Sequence, residues 1–254
     1  MPKSRAIAVA IVAILAVAVG GFVVYDQVLR GDSAAALALP TAAPTTQASA
    51  ATPDAGTTGA PGAAATSGTT TDGSVAGSWN VTTGSLAGYR VREQLANLPA
   101  ESDAVGRTDQ VSGSITVQTS GDKTTLTAGA LTVDTTSISS DKSMRDNRMR
   151  NEGLQTESFP TATFKLTAPV DVPAAALAGT ASDVTLTGDL TLHGVTKSVS
   201  IPAKAQLVNG VVSVAGSLSF PLSDYSITAP NVGGFIVSIE DTGTLEFLVN
   251  FTKA

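Results

Sequence analysis

Apolar and polar residues alternate along most of the chain after Trp79, which is the pattern of β-strands that bury one face. The clearest case runs from Val184 to Leu192, where aliphatic side chains alternate with polar ones, mainly threonine. The pair His193-Gly194 follows, and the alternation then resumes, as expected for a β-hairpin. Similar segments occupy 111–117, 126–133, 162–166, 212–220, 235–239 and 245–251, with a first strand at 79–81 or 89–91. We therefore predict an all-β fold of about eight strands, enough to close an antiparallel barrel.

One segment of the folded part has helical character instead. Residues 141–152 follow Ser139 and Ser140, which are suited to cap a helix, and carry little apolar surface beyond two methionines. We expect this short helix to lie across one end or one side of the barrel. Its arginines, Arg145, Arg148 and Arg150, are expected to be largely in water.

The N-terminal residues differ sharply from the rest of the chain. Residues 6–24 are uninterruptedly apolar, and as a helix they would span about 28 Å, close to a hydrocarbon core of about 30 Å. Lys3 and Arg5 precede this run, and no net positive charge follows it. This predicts a cytoplasmic N-terminus at 1–5, a transmembrane helix at 6–25 and an extracytoplasmic C-terminal domain on a single-pass protein of the cell membrane. The alternative is a cleavable signal peptide, since small residues at 34–38 fit a cleavage site.

Residues 26–76 are rich in alanine, threonine, proline and glycine and cannot bury a core, which predicts a flexible linker. The folded domain is then expected at 77–254. The formal net charge of −6 argues against nucleic acid as a partner. The absence of cysteine excludes disulfides and thiolate metal sites.

The sequence gives little support for a catalytic function. The single histidine, His193, is preceded by Asp189, but four residues along a strand separate them by about 13 Å, and a turn position accounts for the histidine. Asp241-Thr242-Gly243 matches an aspartic protease triplet, yet it lies between two predicted strands, where a turn is expected. We expect a protein that is not an enzyme, with no catalytic residue, no metal site and no cofactor.

Three motifs then occur in one order: Arg145-Asp146, the sequence FPTATF at 159–164, and GDLTLHGVTK at 188–197. This combination resembles the YceI-like family of polyisoprenoid-binding proteins, and the resemblance runs from about Trp79 to Phe251. It implies a lipocalin-like antiparallel barrel that holds a long isoprenoid lipid, such as a polyprenyl phosphate or a quinone. The chain would then be an exported, membrane-tethered carrier, with the isoprenoid as its ligand and the membrane as a second partner.

The resemblance gives the inward strand faces a candidate role as a ligand tunnel. The candidates are Val184, Leu186, Leu190, Leu192, Val199, Ile201, Val214, Leu218, Phe220, Phe247, Val249 and Phe251. Arg145, Arg148 and Arg150 are candidates for binding an anionic head group at the barrel mouth. The alternative is a ligand-free structural or protein-interaction module of the cell envelope, in which the same faces form a filled interior.

One departure from the family pattern concerns the head-group chemistry. Many relatives carry a histidine shortly after the first strand, whereas residues 89–95 contain none and place Glu93 near that position. The chemistry near the head group is therefore expected to differ from that of such relatives.

Overall fold

The alternating segments form β-strands that all pair antiparallel in one sheet. The computed structural model describes residues 33–40, 74–95, 101–229 and 236–254. The strands are β1 Gly77–Val81, β2 Leu86–Leu95, β3 Ser102–Thr108, β4 Val111–Ser120, β5 Lys123–Asp134, β6 Thr161–Leu166, β7 Val170–Asp171, β8 Ser182–Leu192, β9 Val195–Val208, β10 Val211–Pro221 and β11 Ile236–Lys253. The helices are α1 Ser143–Arg148, which continues as a π-helical turn Met149–Gly153, and α2 Ala174–Leu177. Two 3-10 turns lie at Thr135–Ser137 and Leu222–Tyr225.

The barrel closes where β1 pairs with the C-terminal part of β11, in a register that sets Val81 opposite Phe251. The ring has the strand order β1-β4-β5-β6-β8-β9-β10-β11, which is eight strands. The predicted antiparallel barrel of about eight strands is therefore confirmed. In addition, β2 pairs with the preceding part of β11, and β3 pairs with β2.

The wall between β3 and β5 is completed by residues that are not in a strand. Arg107 of β3 exchanges two backbone hydrogen bonds with Ser139, at 2.8 and 3.0 Å. Ser139 lies just before α1, so this pairing holds the helical segment at one end of the barrel. Ile138, Met149 and Leu154, in the segment 138–154 around α1, pack in one apolar cluster that also contains Leu192 of β8. This cluster closes the end of the barrel with apolar side chains.

Two details of the expected chain path are wrong. Residues 236–253 form the single strand β11, without the hairpin turn expected at Asp241-Thr242-Gly243. The polar residues occupy a bulge instead, because the register shifts between Ile239 and Gly243. The helix begins at Ser143 without a side-chain cap. The Ser140 hydroxyl, expected to cap it, donates to the Asp146 carboxylate at 2.6 Å.

Residues 33–40, part of the predicted linker, lie on the outer wall of the barrel. The Ser33 hydroxyl donates to the carbonyl of Asp103 at 3.1 Å, and Arg90 donates to the carbonyl of Ala34 at 2.6 Å. Gln206 donates to the carbonyl of Pro40 at 3.3 Å. The segment therefore crosses from β3 to β9. The predicted transmembrane helix and the linker residues 26–32 and 41–73 lie outside the described residues. Among the described residues, no helix is long and apolar enough to cross a membrane.

Glycines on the inner wall make room for aromatic rings. A Cβ added at Gly106 would lie 2.4 Å from Cε1 of Tyr89, and one at Gly188 would lie 2.5 Å from Cζ of Phe164. Each ring therefore lies against the backbone of a neighbouring strand. A ring in this position covers the glycine and leaves the centre of the barrel less filled.

We predict that Gly188→Ala destabilises the barrel by about 1–3 kcal/mol, because the new methyl group overlaps Phe164 and a backbone carbonyl. Gly129→Ala is the matched control, since its Cβ would lie 3.4 Å from the nearest atom, on Ile115. Neither glycine has a positive φ, so backbone strain does not separate the two variants. Urea unfolding should show a change within about 0.5 kcal/mol for the control. Equal losses in both variants would contradict the packing argument.

Candidate functional site

A cavity of about 120 Å³ lies at the α1 end of the barrel. Alternate residues of β2, from Ala87 to Glu93, form one side of it. Met149 and Leu154 of the helical segment close it, and Leu192 lies on the opposite wall. Its lining is therefore mainly apolar, and among the lining residues the charged ones are Glu93, Arg145 and Arg148.

Two further cavities, of about 60 and 50 Å³, continue along the barrel interior. They share the lining residues Ile115, Leu126, Leu186 and Val214, so they adjoin each other. The larger of the two is closed by Ala176 and Leu177 of α2 and lies at the opposite ends of β5, β8 and β10 from the first cavity. The three cavities thus lie one after another along the barrel interior, and the first shares no lining residue with the other two.

The predicted tunnel residues all face the interior, where they belong to two hydrophobic clusters. Most of them line one of these cavities: Val184, Leu186, Leu192, Val214, Phe220, Phe247, Val249 and Phe251. The others, Leu190, Val199, Ile201 and Leu218, pack in the clusters without lining any of the three. The interior is therefore partly a cavity wall and partly a packed core.

The environment of Arg145 is the main correction to the sequence-based interpretation. Its side chain was expected in water, but only 11% of it is exposed. One terminal nitrogen donates to Glu93, whose side chain is 2% exposed, and the other donates to Asp141. The alternation of β2 turns Glu93 inward, and a buried carboxylate requires a cation close by. Arg145 therefore points into the barrel end.

The other two arginines lie in different surroundings. Arg148 lines the cavity beside Arg145, is half-buried, and forms no ion pair among the described residues. Arg150 does not line this cavity. It donates to the carbonyl of Ile138 at 3.2 Å and to the side chain of Asn147 at 3.3 Å. The structure thus brings two of the three head-group candidates to the cavity.

Two buried polar atoms near this ion pair have no hydrogen-bond partner among the described residues. They are the Tyr89 hydroxyl and Nε of Arg145, and both residues line the first cavity. Burial raises the pKa of the Tyr89 hydroxyl above its usual value, so the phenol stays protonated at neutral pH. The wall of the cavity end therefore contains a neutral hydroxyl and one N–H donor that are both buried and unpaired.

A comparison of the sequence with protein-family models matches residues 79–251 to the family described as YceI-like domain. The match covers more than half of the 254 residues. The chain belongs to the YceI-like family.

Relatives with the name Protein YceI are similar over a shorter stretch. The protein from Escherichia coli is 37% identical over 75 residues, which is 29% of this chain and 35% of that protein. The protein from Shigella flexneri is 36% identical over the same length. The matched stretch thus spans about a third of the length of these curated relatives.

A solved structure shows the same fold. It is a polyisoprenoid binding domain from Saccharophagus degradans implicated in plant cell wall breakdown, with a TM-score of 0.52 and 23% sequence identity. The similarity covers 70% of this chain and 99% of that domain. The barrel of this YceI-like chain is therefore an architecture known from experiment.

Sequence reasoning about this YceI-like domain missed the part of the cavity wall formed by β2 and β3. Val91 and Ala104 are buried there and line the first cavity together with Tyr89 and Glu93. The signal was present in β2, because Ala87, Tyr89, Val91 and Glu93 share one face of a strand. Extending that alternation by one more step predicts that Glu93 points inward.

His193 of the YceI-like domain occupies a turn, as predicted. Its φ is 50°, its Nδ1 lies 3.0 Å from the carbonyl of Tyr225, and its ring packs 4.4 Å from that of Phe159. These contacts give the residue a structural role. Among the described residues, no group of three or more histidine, cysteine, aspartate or glutamate side chains is placed to hold a metal ion.

We predict that Arg145→Met destabilises the domain by about 3–5 kcal/mol, because it leaves the Glu93 carboxylate buried without a cation. Arg92→Met is the matched control, since Arg92 is 51% exposed and its ion pairs with Glu101 and Asp103 are 3.5 Å long. The control should lose about 1 kcal/mol or less. Urea unfolding measures both values.

The double variant Glu93→Gln/Arg145→Met tests the same ion pair by removing both of its charges. It should recover part of the stability lost in Arg145→Met, because no uncompensated charge remains in the barrel. Strictly additive losses would contradict a direct interaction between the two side chains.

Proposed function

We propose that this YceI-like barrel binds a long-chain isoprenoid lipid of the polyprenyl phosphate or quinone type. The tail would occupy the cavities inside the barrel, and the head group would lie at the α1 end near Arg145 and Arg148. The observation that carries the proposal is the series of apolar cavities between α1 and α2. Each buried methylene of such a tail would contribute about 0.8 kcal/mol to binding.

The polarity of the interior favours a long apolar ligand over a compact polar one. Apolar side chains line the two smaller cavities, of about 60 and 50 Å³, almost entirely. The charged residues Glu93, Arg145 and Arg148 lie at one end only. A ligand with one polar end and a long hydrocarbon chain matches this distribution.

The family supports lipid binding in general, and the similar structure from Saccharophagus degradans is that of a polyisoprenoid binding domain. We extend that ligand class to this chain on the strength of its own cavities. The proposed mechanism is sequestration, in which the barrel shields the tail from water and no bond is made or broken.

The proposal also includes a membrane tether. The predicted N-terminal helix at 6–25 would hold the barrel outside the cytoplasm and close to the bilayer that supplies the lipid. The extracytoplasmic location and the role as a carrier or buffer rest on that helix.

The experiment is to produce the full chain in a bacterial host, purify it in detergent, and analyse it by native mass spectrometry and lipid extraction. A stoichiometric isoprenoid lipid is the expected result. A protein that carries no lipid and takes up neither added polyprenyl phosphate nor added quinone would favour the ligand-free structural module instead.

We predict that Ala162→Leu lowers lipid affinity by about tenfold or more, because Ala162 is 7% exposed and lines the first cavity. Extra methylene groups that crowd a packed apolar region cost about 1–3 kcal/mol. If the bound tail meets that crowding, the free energy of binding falls by a similar amount, and 1.4 kcal/mol corresponds to a tenfold change in affinity. Ala128→Leu, at an exposed position of β5, is the matched control and should bind as the wild type does. Lipid titration followed by native mass spectrometry gives both affinities. Unchanged binding by a folded Ala162→Leu protein would place the tail elsewhere.

A further inference from the structure

The charges at the α1 end of the first cavity define the head group more narrowly, on the assumption that the proposed function is correct. We propose that this end selects an uncharged head group with a carbonyl or hydroxyl oxygen, and that Glu93 disfavours a phosphate. The inference rests on the ion pair of Glu93 with Arg145 and on the two buried polar atoms beside it.

Arg145 is not free to neutralise an anionic ligand. Both of its terminal nitrogens already donate to carboxylates, those of Glu93 and Asp141. A phosphate that reached Arg145 would lie close to the Glu93 carboxylate, whose side chain is 2% exposed. Like charges repel strongly where water does not screen them. Displacement of Glu93 from Arg145 would not remove the energetic cost of binding a phosphate, because it would leave a buried carboxylate without a cation.

The atoms that remain for a ligand are suited to an uncharged oxygen. Nε of Arg145 carries an N–H, the Tyr89 hydroxyl carries an O–H, and neither has a partner among the described residues. Buried donors without partners are rare in proteins and usually mark a missing ligand or water. Burial raises the pKa of the Tyr89 hydroxyl, which keeps it a donor. A carbonyl or hydroxyl oxygen can accept from either donor without bringing a charge.

The position of Tyr89 is fixed by its surroundings. The ring lies over Gly106 of β3, since a Cβ there would be 2.4 Å from Cε1 and 2.9 Å from the hydroxyl oxygen. The hydroxyl is therefore held against the wall of the cavity. Such a rigid donor favours one position of the head group over a mobile one.

Arg148 is the residue that would bind an anionic head group, which is the alternative to the uncharged head group that we propose. It lines the same cavity and has no carboxylate partner among the described residues. An anionic head group that bound in spite of Glu93 would be held there. Substitution of Arg148 therefore distinguishes a phosphate site from the uncharged site that we propose.

The test uses the full chain in detergent, with ubiquinone and a polyprenyl monophosphate of the same number of isoprene units competing in native mass spectrometry. The wild type should prefer the quinone by about tenfold or more. Glu93→Gln should move this preference towards the phosphate by about tenfold, because the Arg145 charge is then less compensated. Tyr89→Phe should weaken quinone binding severalfold and leave phosphate binding nearly unchanged. Glu157→Gln, at an exposed glutamate, is the matched control and should change neither.

Three results would overturn the inference. The first is a wild type that binds the phosphate at least as tightly as the quinone and loses it in Arg148→Ala. The second is a folded Glu93→Gln protein, judged by circular dichroism, with the wild-type preference. The third is Tyr89→Phe with unchanged quinone affinity, which also decides the matter if Glu93→Gln does not fold. A wild type that binds neither lipid refutes the proposed function itself.

Discussion

The ion pair between Glu93 and Arg145 is the interaction on which the candidate site depends, because it joins the inner face of β2 to α1. A short helix with a few apolar contacts has little to fix its position by itself. The pair adds a buried, charge-assisted hydrogen bond, and Asp141 holds the other terminal nitrogen of the guanidinium. Asp146 strengthens the same segment, since its carboxylate accepts from the backbone and hydroxyl of Ser140. Together these contacts set the shape of the first cavity.

The two ends of the barrel are closed by different means. At one end β1 hydrogen-bonds to both β4 and β11, so the wall there is continuous backbone pairing. At the other end, between β3 and β5, the wall depends on the Arg107–Ser139 pairing and on the side chains of the helical segment. An opening between β3 and α1 breaks fewer backbone hydrogen bonds than one between two full strands. The polar residues of the first cavity thus lie at the end that needs the least disruption to admit a ligand.

Local alternation was sufficient to predict the barrel but not the polar end of its cavity. The hairpin of β8 and β9 follows from strict alternation around His193-Gly194. Strand β3 was missed because Ser102–Thr108 carries few large apolar residues, and its burial comes from neighbours in the fold. Arg145 was expected in water because its own segment is polar. Its carboxylate partner is 52 residues away in the chain, and no local pattern shows such a pairing.

The cavities and the packed core meet at a small set of side chains, and a long tail would have to pass them. Val133, Phe164, Val199, Leu218 and Leu245 pack against both hydrophobic clusters. Phe164 is the largest of these, and its ring lies against Gly188, where the missing Cβ leaves room for it. A larger residue at 188 would overlap this ring and a backbone carbonyl, so the ring would have to leave its present position in the barrel interior. The proposed tail binding therefore depends on a glycine in the wall as much as on the apolar residues that line the cavities.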